Sequence, residues 1–119
     1  MSNDLSASFT QELRLLSAAQ YKYVFSDAKR FGNHCFTLLL RENDIDHARL
    51  GLAIAKKSAK RAVDRNRIKR VIRESFRHLQ HELPNIDVVI LCRPAAVALS
   101  SKKMRKQLDK QFAYICRKL

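Results

Sequence analysis

Arg65-Asn66-Arg67-Ile68-Lys69-Arg70-Val71-Ile72-Arg73-Glu74-Ser75-Phe76-Arg77 sorts charge and apolarity by angle around a helix. Ile68, Val71, Ile72 and Phe76, continued by Leu79 and Leu83, recur at helical spacing. At roughly 100° per residue, Asn66, Arg70, Arg73 and Arg77 fall on the opposite side as one straight stripe. A charged run with no apolar partner face reads as a disordered tail. This run has a core-facing side, so the folded chain holds its cations in a fixed array. Arg, Asn and Lys so held suit phosphates and base edges. The helix begins between Ser58 and Asp64, either of which can cap it, and stops before Pro84.

Working outward, the period changes. Cys35 to Leu40 and Arg49 to Ala55 are short and strand-like, with Leu50, Leu52 and Ile54 facing one way and Gly51, Ala53 and Ala55 the other. The polar stretch Glu42-Asn43-Asp44-Ile45-Asp46 joins them, which predicts an antiparallel pair. Further upstream, Ser17 caps a short helix, Gln20 reaches back to it, and Leu16 staples to Tyr21. Tyr21, Val24, Phe25 and Ala28 share one face of that helix. Downstream, Asp87 to Cys92 is apolar after its first residue, which suits a central strand covered on both faces. Pro94 to Leu99 reads as a loop. Ser100 or Ser101 caps a last helix with Met104, Leu108, Phe112 and Ile115 inward. Met1 to Phe9 reads as a loose segment, extending to about residue 12. The order helix, strands, helix, strand, helix predicts an α+β sandwich with a mixed sheet covered by helices, in a single domain spanning residues 1–119.

The chain has 119 residues, with 24 Lys and Arg against 11 Asp and Glu, a net charge of +13. Such an excess works against compaction unless a polyanion offsets it. A membrane surface fits less well than nucleic acid, because an interfacial helix needs an apolar face free for lipid and this helix commits its own to the core. Cys35, Cys92 and Cys116 form no CxxC pair and read as free thiols of a reducing cytosol. No secretory signal stands at the start, and no apolar run approaches the roughly 20 residues that span a bilayer. A soluble, cytoplasmic protein is expected.

Lys56, Lys57, Lys60, Arg61, Arg65, Arg67, Lys69, Arg70 and Arg73 crowd one window that only Asp64 interrupts. A solvated helix face normally mixes signs for i,i+4 pairing, so this one points to nucleic acid. Tyr21 and Phe25 lie one turn apart; beside Phe36 they could line a groove that stacks unpaired bases. His78 and His81 lack a third metal ligand and read as structural or solvent-facing. No GxSxG, HExxH or Gly-rich phosphate loop appears, and the carboxylates are too scattered for a two-metal nuclease. No catalytic or metal-binding residue is expected in this chain.

Lys56-Lys57, Ala62-Val63, Arg65-Asn66-Arg67-Ile68-Lys69-Arg70 and Arg73-Glu74-Ser75-Phe76-Arg77 together resemble the signature of the bacterial ribonuclease P protein family. Glu12 to Leu16 and Gln20 to Phe25 are similar to that family's N-terminal helix. His81-Glu82-Leu83-Pro84 before the Asp87 strand is similar to gammaproteobacterial members. The resemblance covers roughly Leu13 to Arg117. It implies a small fold related to a ribosomal-protein domain, with a roughly four-stranded sheet and a left-handed βαβ crossover. It implies a protein that binds the catalytic RNA and the single-stranded 5′ leader of precursor tRNA, while that RNA, with Mg²⁺, cleaves at the mature 5′ end. By position, Arg65, Asn66, Arg67, Lys69, Arg70, Arg73 and Arg77 would hold the catalytic RNA. Tyr21, Phe25, Phe36, Thr37, Lys56 and Lys57 would take the leader. The protein alone binds no cofactor, Mg²⁺ belongs to the holoenzyme, and neither a membrane nor an obligate protein partner is implied.

Two departures stand out. Many members carry an aromatic residue where this chain has Leu39. Many also have a glycine soon after the lysine pair, whereas Ser58-Ala59-Lys60-Arg61 has none and is about one residue longer, so the loop entering the basic helix should differ in shape. The rival readings are a general RNA-binding or ribosomal-type protein with no role in tRNA processing, and a protein-only nuclease.

Overall fold

Ile68, Ile72 and Phe76 are fully buried in the computed structural model, which describes residues 13–118. They form the inner face of α2 (Ala62–Leu79). Met104, Leu108, Phe112 and Ile115 form that of α3 (Ser101–Lys118), again with no exposed surface. The two helices pack together, and the Phe76 and Phe112 rings meet edge to face at 6.1 Å. Both lie on one side of a sheet built from β1 (Lys29–Gly32), β2 (Phe36–Glu42), β3 (Arg49–Ala53) and β4 (Ile86–Cys92). Alternate strand residues, among them Leu38, Leu40, Leu50, Val88 and Ile90, complete this larger core. The other sheet face is covered by α1 (Ala18–Ser26), whose Val24 is buried against Leu39 and Val89. The α+β sandwich is therefore three-layered: one helix, a mixed sheet, two helices.

The strand order is β1-β2-β4-β3, antiparallel except for the β3–β4 pair, which is parallel and bridged by α2. This corrects the antiparallel pairing expected for β2 with β3. The strand apolar on both faces, β4, takes the slot between them, because only a central position covers both of its sides. The polar segment after β2 is no hairpin turn. It is strapped to the start of β4: Asn43 N–H donates to Asn85 O at 3.1 Å, and Asn43 Nδ2 to Asp87 Oδ1 at 2.9 Å. Asp87, with no exposed surface, also receives Arg49 through Nε at 2.9 Å and Nη2 at 2.8 Å. This bidentate pair fixes β3 to β4 and holds the Arg49 guanidinium more firmly protonated than usual, chiefly through the hydrogen bond.

Strand β1 has no sequence signal of its own, being four mostly polar residues. It exists because Asn33 Oδ1 accepts the N–H groups of Cys35 and Phe36, both at 2.8 Å, and turns the chain back on itself. The capping box of α1 forms as expected from Ser17 and Gln20. Leu16 makes no staple: its side chain is exposed and its N–H donates to Gln20 Oε1. Neither Ser58 nor Asp64 caps α2. The N-cap is Arg61, without a side-chain cap bond, while the Ser58 and Ala59 N–H groups close a turn on Ala55 O. Pro94–Ala98 forms a 3-10 turn rather than a loop, and Ser100 Oγ accepts the Lys103 N–H at the start of α3. The expectation of a loose segment from Met1 to Phe9 lies outside the described residues.

Candidate nucleic-acid interface

The outward side of α2 carries Asn66, Arg70 and Arg73, all exposed and engaged by no ion pair among the described residues. Ile68, Ile72 and Phe76 anchor the opposite side, so these side chains project from a helix that cannot roll. Lys69 is half-buried beside them. The other arginines of the signature are used differently. Arg65 Nη1 donates to Ala59 O at 3.0 Å and Lys60 O at 2.8 Å, tying down the glycine-free loop that enters the helix. Arg67 reaches Leu99 O at 2.9 Å and Val97 O at 3.1 Å, fastening α2 to the approach to α3. Arg77 closes the stripe but pairs with both oxygens of Glu74, at 2.7 and 2.6 Å, and that hydrogen bonding holds the Glu74 carboxyl below its ordinary range. Asp64 sits in the first turn, where it favours the helix dipole. Its carboxyl is likewise held down, first by the Arg61 hydrogen bond.

The second set of expected residues divides across the sheet. On the α1 face the registers align Gly32, Thr37, Leu91 and Ala53 in a row at one end, and Arg41, Asp87 and Arg49 toward the other. Val24 points down into the middle of this face. Tyr23, about 100° to one side of Val24, donates its hydroxyl to Glu42 O at 3.0 Å, at the Arg41 end. Phe25, the same angle to the other side of Val24, is 48 % exposed. Tyr21, a turn before it, lies against Gly51, and its hydroxyl accepts the Leu52 N–H at 3.1 Å. The exposed Lys56 and Lys57 follow β3 at this same end. Tyr21, Leu91 and Ala53 thus pack on the α1 side with Thr37 aligned beside Leu91, and Lys56 and Lys57 follow β3; this end of the sheet face is the candidate cleft.

Phe36 does not belong to this cleft. It is fully buried among α2, α3 and the inward sheet residues, because successive strand residues point to opposite faces and Thr37 takes the α1 side. Leu39 is buried against Val24 and Val89 on the α1 face. Leu91 and Ala53, both partly exposed, are cleft residues that the sequence reading missed. The alternation of β3 put Ala53 on a common face with Gly51, but only the pairing of β3 with β4 shows which face α1 covers. Among the described residues no three His, Cys, Asp or Glu side chains come together as a metal site. His78 Nδ1 lies 2.9 Å from Glu74 O, in a local contact on its own helix. Burial pushes the Cys92 and Cys116 thiols up, away from reactivity. No described helix is long and apolar enough to cross a membrane.

The family model described as Ribonuclease P matches residues 9–116. The ribonuclease P protein component of Thioalkalivibrio sulfidiphilus is 50 % identical over 105 residues, covering 88 % of each chain. That of Aliivibrio fischeri is 49 % identical over 109 residues, covering 92 % of this chain and 93 % of its own. Among solved structures, the Staphylococcus aureus RNase P protein superposes with a TM-score of 0.80 at 27 % identity, over 86 % of this chain and 94 % of that one. The Thermotoga maritima RNase P protein does so with a TM-score of 0.74 at 28 % identity, over 87 % and 96 %.

Proposed function

The chain belongs to the ribonuclease P protein family, and from that premise we propose a division of labour between its two surfaces: the α2 ridge holds the catalytic RNA, and the cleft under α1 takes the single-stranded 5′ leader of precursor tRNA. As the protein subunit of ribonuclease P, it serves an endoribonuclease whose bond-breaking is done by RNA. The observation that carries the proposal is the stripe Asn66, Arg70 and Arg73, exposed on a helix whose far side is fully buried. Such a surface meets phosphates without first paying to order its own side chains' scaffold. Arg65 and Arg67 contribute by fixing the loop and the helix ends, with their remaining N–H groups turned to the same RNA. Lys69 and Arg77 add charge at the margins.

In the cleft, Phe25 offers a free ring face for a base and Thr37 a hydroxyl on the floor. Lys56 and Lys57 neutralise the leader's phosphates as it enters. Phe36 supports the floor from beneath. Mg²⁺ in this proposal is held by the RNA and its phosphates, the protein lowering the concentration needed by neutralising nearby charge. The three free thiols among the described residues suit a reducing cytoplasm, where precursor tRNA is made.

The test is cleavage of a 5′-labelled precursor tRNA at low Mg²⁺ by protein alone, catalytic RNA alone, and both. Cleavage at one site only with both components is the expected outcome. Cleavage by protein alone would reveal a catalytic centre in the chain. No gain from adding protein would return it to the general RNA-binding class.

A further inference from the structure

Across the sheet from the α1 cleft, the outer strand β1 and helix α3 leave a groove of about 470 Å³ between them. Arg30 and Phe31 line it from β1; Gln107, Lys110, Gln111 and Tyr114 line it from α3. Three properties meet there. The first is an aromatic platform: Tyr114 is 41 % exposed and its ring stands edge to face with Phe31 at 5.7 Å. The second is cationic charge. Lys110 is exposed, and the Arg117 guanidinium and Lys118 ammonium lie 6.0 and 5.7 Å from the Tyr114 ring. The third is a pair of buried acceptors. The side-chain carbonyl oxygens of Gln107 and Gln111, one helical turn apart, are shielded and accept no hydrogen bond among the described residues. Gln111 Nε2 is already directed at Phe36 O, 3.5 Å away, which leaves its oxygen as the unused end.

A buried acceptor without a donor is costly and rare, and both glutamines line the groove, so turning their amides outward would let a ligand that brings N–H groups satisfy both oxygens. The cations that α3 presents beside the groove call for that ligand to carry negative charge. The exposed ring calls for a flat π-face. An unstacked nucleotide meets all three requirements with its phosphate, its base face and its base edge. We infer that the groove between β1 and α3 binds one unstacked nucleotide of a single-stranded RNA: the base lies on Tyr114, its N–H donors reach Gln107 and Gln111, and its phosphate meets Lys110. The inference goes beyond the leader cleft and depends on the ribonuclease P reading only for the RNAs used to test it. The nucleotide comes either from the catalytic RNA or from the precursor.

Full-length Tyr114→Ala and Gln107→Met separate these sources. One arm measures affinity for the catalytic RNA alone; the other measures precursor tRNA binding by the assembled holoenzyme. Each variant is expected to weaken at least one arm by roughly tenfold. A loss in the first arm places the nucleotide in the catalytic RNA, and a loss confined to the second places it in the precursor. Gln107→Met, which removes a lone buried oxygen at similar volume, is expected to keep or raise the thermal midpoint. Unchanged affinity in both arms for both variants overturns the inference. So does a lower midpoint for Gln107→Met, which would mean that the amide serves the fold. Arg70→Ala and Phe25→Ala are run alongside. If they lose affinity while the groove variants do not, only this inference fails; if none of the four does, the reading of the whole surface falls with it.

Discussion

Gly51 is the residue on which the seating of α1 depends. A Cβ there would lie 2.7 Å from Tyr21 Cε1 and 2.9 Å from Leu15 Cδ1, well inside contact distance. Gly51→Ala should therefore push α1 away from β3 and cost about 1–3 kcal/mol, as overpacking does. Urea denaturation measures the cost, and an unchanged midpoint would mean that α1 is free to move aside. Asp87 is a second such residue. Asp87→Ala leaves the Arg49 guanidinium and the Asn43 amide without their acceptor, and should cost about 3 kcal/mol because a largely buried cation loses its partner. A thermal midpoint within a degree or two of the parent would contradict that. Neither role is legible locally. Asp87 reads as the first residue of a strand because its partner Arg49 is 38 positions away. Phe36 reads as a groove aromatic because a strand of uniform apolarity does not say which residue points where.

At the scale of elements, α2 and α1 are predicted to act separately. Arg70→Ala should weaken assembly with the catalytic RNA whatever the substrate. Phe25→Ala should weaken precursor tRNA binding and spare mature tRNA, which has no leader. Equal losses for precursor and mature tRNA in both variants would dissolve the distinction between ridge and cleft. The amphipathic helices were legible in the sequence because a 3.6-residue period is written in consecutive residues. Ile68, Ile72 and Phe76 in α2, and Met104, Leu108, Phe112 and Ile115 in α3, are all buried as expected. Strand partners were not legible, because which strand lies beside which is decided by burial across the whole sheet. β1 went unseen since Lys29-Arg30-Phe31-Gly32 has no alternation to detect, and β4 was correctly read as central without revealing that it separates β2 from β3.

At the scale of the molecule, a net charge of +13 is spread over a chain of 119 residues, with exposed cations on α2, on α3, on β1 and at Lys56-Lys57. If six to ten phosphates are contacted, affinity for the catalytic RNA should drop about 10³–10⁵-fold between 50 and 200 mM salt. A titration that is flat over that range would rule out counterion release as the main source of affinity. The charge was fully legible from composition; which cations stay exposed and which are tied down, as Arg65 and Arg67 are, was not, since that follows from how the helices and loops pack.

The strand order also governs what the ribosome releases. β2 and β3 are synthesised first, yet neither meets its inner neighbour until β4 emerges and inserts between them. A nascent chain that ends within α2 therefore carries two unpaired strand edges and an uncovered apolar helix face, alongside most of its cations. The sheet can be completed only once β4, through Cys92, is available to pair with both neighbours. Truncation anywhere before β4 is complete is therefore expected to leave a sticky polycation rather than a smaller domain.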